Sequence, residues 1–286
     1  MKVVIASGKG GVGKSMLTSA LCMLFAENHK IAAVDCDVDA PNLAIWLNEV
    51  DSWDKIKKIS TSEKPVIDYN KCTGCGLCAE KCRFGAIKMV KEIPKVNPFL
   101  CEGCGACEVL CPVKAIKLKP VKNGEIRTKQ TKYKFPLISG QLYPGETGSG
   151  KIVSQVKKEA EKNKYDIMLI DSAPGTGCPV IASLQDANFA LLVTEPTLSG
   201  LSDLKRVLEV ITHFNISYKI VINKWDINLD LSKKVEKEFK GKMLGKISYD
   251  KKIFKAIANL TPILETDLKA KKEIKDIFSK LLSQIM

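Results

Sequence analysis

Residues 2–17 read KVVIASGKGGVGKSML, in which a short apolar run leads into a glycine-rich loop and then into a helical pattern. The segment from Gly8 to Ser15 fits G-x-x-x-x-G-K-[ST], a pattern found between a strand and a helix in nucleotide-binding proteins. Its glycines let backbone N–H groups surround phosphate oxygens, and the helix amino terminus adds partial positive charge. The pattern predicts a phosphate-binding loop between a strand at 3–6 and a helix at 15–27.

This loop also predicts individual contacts to a nucleotide. Lys14 should lie on the β- and γ-phosphates, and the Ser15 hydroxyl should ligate Mg²⁺. The nucleotide-binding residues expected here are Gly8, Lys9, Gly10, Gly11, Val12, Gly13, Lys14, Ser15 and Met16. A second loop, Gly145 to Ile152, has an isoleucine where the magnesium-binding hydroxyl belongs, so we interpret it as a helix-capping turn or an interface loop.

Lys9 makes the first loop more specific, because K-G-G-x-G-K-[ST] is the deviant Walker A sequence. On these residues the chain resembles the MinD/ParA/Mrp group of P-loop ATPases, which also contains the nitrogenase iron protein. The resemblance implies an ATP-dependent homodimer in which Lys9 reaches the nucleotide of the partner subunit. It also implies ATP hydrolysis that is slow and stimulated by a partner protein.

Two acidic segments match the switches of that family. In VDCDVDAPNL, residues 34–43, Asp37 is expected to orient the attacking water. In MLIDSAPGTG, residues 168–177, Asp171 is expected to place a carboxylate near Mg²⁺ and Gly175 to sense the γ-phosphate. The resemblance thus makes Lys9, Lys14, Asp37 and Asp171 the catalytic candidates. Acids at strand ends can also be simple solvated caps, which is the structural alternative.

The base-binding segment leaves two interpretations open. Asn223, Lys224 and Asp226 form N-K-x-D, whose aspartate can accept hydrogen bonds from guanine, whereas the family resemblance implies ATP. A short motif at a strand end often arises by chance, so we favour ATP.

Eight of the 11 cysteines form two runs with identical spacing, C-x2-C-x2-C-x3-C, at 72–82 and 101–111. The repeat extends to the tripeptide A-I-K at 86–88 and 115–117. This is the pattern of bacterial two-cluster ferredoxins, in which the fourth cysteine of each run ligates the other cluster. The resemblance implies two 4Fe–4S clusters, one held by Cys72, Cys75, Cys78 and Cys111, the other by Cys82, Cys101, Cys104 and Cys107.

Zinc is the alternative ligand for these cysteines, but structural zinc sites usually pair C-x2-C units across a longer gap. Arg83 stands where ferredoxins carry a proline, which leaves ligation intact because proline is not a ligand. Cys178 invites comparison with the cluster that nitrogenase iron protein subunits share. Residues 132–151 contain no second cysteine, so we interpret Cys178 as a packed small residue.

Apolar runs without alternation, separated by helical patterns, predict an α/β fold with a doubly wound, mostly parallel sheet. Further strands are predicted at 31–34, 135–139, 167–170, 189–193, 219–222 and 243–247, and helices at 152–162, 201–214 and 274–285. We interpret the polar stretch 52–65 as a linker. The chain is thereby divided into a discontinuous P-loop ATPase domain, 1–60 with 123–286, and an inserted ferredoxin-like domain, 61–122.

Composition bears on partners and compartment. A net charge of +13 would suit nucleic acid, but the lysines are spread, and the basic stretch 114–134 has few stacking aromatics. We interpret that stretch as a solvated hairpin and expect no nucleic-acid partner. There is no apolar run of membrane-spanning length and no signal-peptide pattern, and the stripe at 274–285 predicts a helix packed on the sheet. Cysteines at metal-ligand spacing favour a reduced, cytoplasmic location.

Three hypotheses for function follow. The first is an ATPase that couples its nucleotide state to electron transfer through two 4Fe–4S clusters, together with a redox partner. The second is an assembly ATPase that carries iron–sulfur clusters or related metal cofactors to client proteins. The third is a positioning switch of the ParA or MinD kind, with the clusters as a redox sensor.

Overall fold

The structure is a computed structural model that describes residues 1–285. Its strands, in chain order, are β1 (Lys2–Ser7), β2 (Ile31–Cys36), β3 (Lys55–Ile59), β4 (Ser62–Ile67), β5 (Ile87–Val90), β6 (Ile93–Val96), β7 (Ile116–Val121), β8 (Gly124–Gln130), β9 (Pro136–Leu142), β10 (Ile167–Pro174), β11 (Phe189–Thr194), β12 (Ser217–Asn223) and β13 (Met243–Ile247). Its α-helices are α1 (Lys14–Ala26), α2 (Leu43–Trp46), α3 (Leu77–Glu80), α4 (Ala106–Val109), α5 (Ser149–Ala160), α6 (Cys178–Leu184), α7 (Leu198–His213), α8 (Leu229–Glu238), α9 (Lys252–Ala258) and α10 (Lys269–Ile285).

A nine-stranded sheet organises most of the chain, in the order β13-β12-β11-β1-β10-β2-β9-β8-β3. The pairings from β13 to β9 are all parallel, and β8 and β3 are added antiparallel at one edge. Every residue of the central strands β2 and β11 is buried, because helices cover both faces of the sheet. This arrangement confirms the predicted α/β class with a mostly parallel, doubly wound sheet.

Two apolar cores lie on opposite faces of the sheet. One contains α1 and α10, where Phe25 and Phe278 meet edge to face with ring centroids 4.8 Å apart. The other contains the apolar faces of α5, α6 and α7. Ile274, Ile277 and Leu281 of α10 are buried, so this helix packs on the protein as predicted. Within residues 1–285, no helix combines the length and the apolar character needed to cross a bilayer.

Two interpretations of the sequence are wrong. The supposed linker at 52–65 contains β3 and the start of β4, because β3 pairs with β8 from Lys55 to Ile59. Hydrophobic patterning gave no signal here because only Ile59 of β3 is buried. The lysines of this edge strand discourage further strand pairing. The basic stretch 114–134 is not a hairpin, since β7 pairs with β4 whereas β8 pairs with β3 and β9.

The cysteine-rich segment lies between β3 and β8. Its strands pair among themselves in two small antiparallel sheets, β4 with β7 and β5 with β6. The one-turn helices α3 and α4 begin directly after Gly76 and Gly105, whose φ angles are 77° and 81°. The sequence repeat is therefore also a repeat of local backbone structure.

Candidate nucleotide site and cysteine cavities

The glycine-rich loop connects β1 to α1, where the sequence predicted it. Gly13 adopts a left-handed conformation with φ 92° directly before α1. A Cβ there would lie 2.2 Å from Nδ2 of Asn223, which donates a hydrogen bond to the carbonyl of Val12 at 2.8 Å. Glycine is therefore required at 13 for both backbone conformation and space. Asn223 supports the loop from the end of β12.

Beneath the loop, Lys14 and Asp171 are brought together. Lys14 Nζ lies 3.3 Å from Asp171 Oδ1, which also accepts a hydrogen bond from the Thr18 hydroxyl at 3.0 Å. The second carboxylate oxygen, Asp171 Oδ2, is buried without a hydrogen-bond partner among the described residues. A buried carboxylate oxygen that lacks a donor suits a cation or an ordered water that binds one, and Ser15 is buried nearby in the same site.

Burial raises the pKa values of two aspartates at the end of β2, Asp35 and Asp37. Asp35 is 1% exposed, and burial, aided by the charge of Asp171, raises the pKa of its carboxyl group. Its two oxygens accept hydrogen bonds from the backbone N–H groups of Leu43 and Asp37, at 2.9 and 3.1 Å. Asp37 is 8% exposed, and burial raises its pKa to about 6, although Lys14 acts in the opposite direction. Burial thus holds the pKa of the Asp37 carboxyl group well above its usual range.

A cavity of about 240 Å³ joins these elements. Of the predicted nucleotide-binding residues, it is lined by Lys9, Gly10, Gly11, Gly13, Lys14, Ser15, Met16, Asp37, Asn223 and Lys224. The cavity is not lined by Gly8, Val12, Asp171 or Gly175. The backbone N–H of Gly175 donates a hydrogen bond to the carbonyl of Ser7, a lining residue, at 2.9 Å. The loop and both acidic segments therefore meet at one edge of the sheet, as expected for carboxyl ends of parallel strands.

Several lining residues were not singled out from the sequence. Asn42 and Trp46 contribute one wall, and the segment after β13 contributes Ser248 to Asp250 with Ile253 and Phe254. Asn42 lies within the first acidic segment, 34–43, and has a buried Oδ1 atom without a partner among the described residues. The segment after β13 has no motif, and only the sheet order places it beside the loop.

Asp226 lies outside the lining of the nucleotide cavity. Its Oδ1 accepts a hydrogen bond from the backbone N–H of Tyr249 at 2.8 Å. It therefore anchors the segment after β13. Lys224, by contrast, donates to Gly11 O at 3.1 Å and so holds the loop.

Lys9 makes its ion pair within its own chain. Its ammonium group lies 2.7 Å from Oε1 of Glu195, which the sequence analysis had not identified. The other carboxylate oxygen of Glu195 lies 3.0 Å from Lys224 Nζ. One nearly buried carboxylate thus joins two lysines that line the nucleotide cavity.

The cysteines of each predicted ligand set line one of two cavities in the cysteine-rich segment. Cys72, Cys75, Cys78 and Cys111 line a narrow cavity of about 20 Å³ whose other walls are mostly apolar. Cys82, Cys101, Cys104 and Cys107 line a second cavity of about 270 Å³, which Cys78 also reaches. All of these cysteines have free thiols. In each set, three sulphurs come from one run and the fourth from the other run.

The second glycine loop ends at Gly148, which has φ 95° and directly precedes α5, so it is a helix-capping turn. The interpretation of Cys178 as a packed residue is wrong, because it is exposed at the start of α6. It borders a groove of about 600 Å³ between this loop and the cysteine-rich segment. A lone cysteine in a sequence carries no signal that separates these two environments.

Comparison with known proteins agrees with this geometry. The family model described as the CobQ/CobB/MinD/ParA nucleotide binding domain matches residues 3–263. An uncharacterized protein of Methanocaldococcus jannaschii is 39% identical over 98% of this chain and 96% of its own length. An iron-sulfur cluster carrier protein of the same organism is 23% identical, over 99% of this chain and 84% of its own.

Among solved structures, the septum site-determining protein MinD complexed with Mg-ADP from Pyrococcus horikoshii has a similar fold. Its TM-score is 0.62 at 19% identity, with 99% of this chain and 97% of that chain covered. The match to the family model spans the phosphate loop, both acidic segments and the cysteine runs. This chain therefore belongs to the CobQ/CobB/MinD/ParA family of nucleotide-binding domains.

Proposed function

We propose that this chain is a cytoplasmic ATPase that forms an ATP-dependent homodimer and couples its nucleotide state to electron transfer through two 4Fe–4S clusters. The observation that carries the proposal is that each predicted set of four cysteines lines one cavity, in a chain that also has a complete phosphate loop.

The ATPase roles follow from the nucleotide cavity. Lys14 and the backbone of the loop bind the phosphates, and Ser15 with Asp171 forms the Mg²⁺ site, for which the unpartnered Asp171 Oδ2 is suited. Asp37 lines the same cavity and orients the attacking water. Because its pKa is about 6, it is ionised at neutral pH and can accept a proton there.

ATP rather than GTP is the proposed nucleotide. Asp226 does not line the cavity, and its Oδ1 accepts a hydrogen bond from the N–H of Tyr249. The far end of the cavity instead offers Tyr249, Ile253 and Phe254, which provide apolar and aromatic surface but no free carboxylate from N-K-x-D. Such a surface suits stacking of an adenine ring.

The eight cysteines are proposed to hold the clusters in the two groups that line the cavities. Thiolates are the usual ligands of 4Fe–4S clusters, which accept and donate single electrons. Within residues 1–285, no three His, Cys, Asp or Glu side chains come together as a single-ion site. Support for clusters therefore comes from the spacing of the cysteines and from the two cavities that they line.

Direct contacts link the proposed inserted domain, 61–122, to the rest of the protein. Lys64 Nζ lies 2.7 Å from Oε2 of Glu146, which is outside that domain. The ring of Phe99 lies against Gly145, where a Cβ would come within 2.3 Å of it. Both contacts involve the loop that leads into α5.

From that loop, contact continues to the segment that follows Asp171. A Cβ at Gly150 would lie 3.0 Å from the carbonyl of Cys178, so α5 and the start of α6 meet closely. The proposed γ-phosphate sensor at Gly175 is three residues before Cys178. A movement of this segment on nucleotide binding would therefore press on the loop that contacts Phe99, two residues before Cys101.

A carrier of iron–sulfur clusters is the second candidate function. It is favoured by the similarity, over nearly the whole chain, to a protein described as an iron-sulfur cluster carrier. The two candidates predict different fates for the clusters, which an electron-transfer protein retains and a carrier gives up.

The test uses anaerobically purified full-length protein. Iron and sulfide are quantified and the protein is mixed with a cluster-free acceptor ferredoxin, with and without Mg-ATP. We expect about eight irons per chain, Mg-ATP hydrolysis that is lost in Lys14→Ala, and retention of the iron. Transfer of iron to the acceptor supports the carrier, and protein that binds zinc alone contradicts both candidates.

A further inference from the structure

Lys9 is held in place by its own chain. Its Nζ lies 2.7 Å from Glu195 Oε1 and 3.3 Å from the Ser199 hydroxyl, so two groups near the start of α7 receive it. In the proposed homodimer, Lys9 acts on the nucleotide of the other subunit. It must therefore leave Glu195 before it can serve that subunit.

The position of Glu195 is fixed by the packing around it. The residue follows β11, and the turn behind it is closed by a hydrogen bond from the N–H of Gly200 to the Thr197 hydroxyl at 2.9 Å. A Cβ at Gly200 would lie 2.4 Å from the Glu195 carbonyl, so a larger residue would displace the turn. A Cβ at Gly8 would lie 2.2 Å from the carbonyl of Asp203, and α7 is thus seated directly on the phosphate loop.

Lys224 makes the release of Lys9 physically reasonable. A buried carboxylate that loses its only cation is strongly destabilised. Glu195 does not face that cost, because Lys224 remains 3.0 Å from its second oxygen and stays attached to the loop through Gly11 O. Burial alone would raise the pKa of Glu195, but Lys9 and Lys224 outweigh burial and lower it, so the carboxylate is charged at neutral pH.

We propose that Glu195 is a positioning residue that holds Lys9 in its own subunit until the polyphosphate of a second nucleotide-bound subunit attracts it away. A single carboxylate competes with a polyphosphate for one ammonium group, and the polyphosphate gains as its charge increases from diphosphate to triphosphate. The contact therefore opposes dimerisation in the absence of ATP and is overcome in its presence. This inference depends on the ATP-dependent homodimer of the proposed function.

The test compares dimer dissociation constants by analytical ultracentrifugation, with Mg²⁺ and a non-hydrolysable ATP analogue. Glu195→Gln keeps the shape but removes the charge, so we expect dimerisation about ten-fold tighter than in the unmodified protein. Ser199→Ala removes the weaker contact and should tighten it less. Glu161→Gln, which breaks the 2.7 Å pair with Lys2 far from the loop, is the matched control and should change nothing.

A double-mutant cycle tests whether Glu195→Gln changes dimerisation through Lys9. In Lys9→Ala protein, Glu195→Gln should leave dimerisation unchanged, and analogue binding by monomers of Glu195→Gln and Ser199→Ala should stay within about two-fold of the unmodified protein. The inference is overturned if Glu195→Gln leaves dimerisation unchanged or weakens it, or if its effect persists without Lys9. If the unmodified protein does not dimerise with the analogue, the proposed function itself is wrong in that respect, and this inference fails with it.

Discussion

Replacement of Asp37 by asparagine should stabilise the nucleotide-free protein while it abolishes ATP hydrolysis. The native structure holds this carboxyl group at 8% exposure beside the phosphate loop and raises its pKa from 3.8 to about 6, chiefly through burial. Asparagine has the same shape and keeps an acceptor oxygen. It carries no charge to desolvate, and it cannot accept a proton from water.

The sign of the stability effect follows from proton binding. Because the folded state holds the Asp37 proton more tightly than the unfolded state, stability contributed by this group falls as pH rises from about 4 to about 6. The difference of roughly 2 pKa units corresponds to about 3 kcal/mol. Asp37→Asn should therefore be more stable than the unmodified protein by up to about 3 kcal/mol at pH 7.5, and nearly equal to it at pH 4.

Thermal unfolding of anaerobic, nucleotide-free and Mg²⁺-free protein measures this difference. At about 2–4 °C per kcal/mol, the unfolding midpoint at pH 7.5 should rise by up to roughly 6–12 °C. Asp51→Asn, at an exposed aspartate, is the matched control and should leave the midpoint unchanged. A midpoint that rises equally at both pH values, or that falls at pH 7.5, would refute the assignment of Asp37 as a strained, buried carboxylate.

Three further predictions concern other residues. Asp171→Asn should lower Mg²⁺-dependent ATP hydrolysis at least about 100-fold in a turnover assay. A binding titration should show that nucleotide binding is largely kept. Unchanged turnover would contradict the role of Asp171 at the Mg²⁺ site. Asp226→Asn should leave the preference for ATP unchanged, because the asparagine oxygen can still accept from Tyr249, and competition binding that moves toward GTP would contradict this. Phe99→Ala should leave basal hydrolysis intact but weaken the effect of ATP on the cluster potentials, measured by redox titration; an undiminished effect would show that the contact with Gly145 does not transmit it.

Much of the fold could be predicted because its strands are buried on both faces and its helices are amphipathic. Strand β11, in which every residue is buried, was predicted at 189–193 and is found at Phe189–Thr194. Strand β3 was not predicted, because its side chains are mostly charged and exposed. Its backbone pairs with β8, which is distant in sequence. Local patterning cannot report such a pairing.

The nucleotide site also contains residues that the sequence could predict and residues that it could not. The phosphate loop and the acids after β2 and in β10 belong to contiguous motifs, and the structure brings Lys14, Asp37 and Asp171 together. Glu195 has no motif of its own. Its role depends on the approach of α7 to the loop, which only the packed structure reveals.

In the proposed function, the nucleotide state of the phosphate loop changes the properties of the cysteine-rich segment. The most direct test of this claim is an anaerobic redox titration of the full-length protein, followed by electron paramagnetic resonance, with and without a non-hydrolysable ATP analogue and Mg²⁺. We predict 4Fe–4S signals whose midpoint potentials or spectra change on addition of the analogue in the unmodified protein but not in Lys14→Ala. Identical potentials and spectra in the two conditions, for protein that binds the analogue, would contradict the claim.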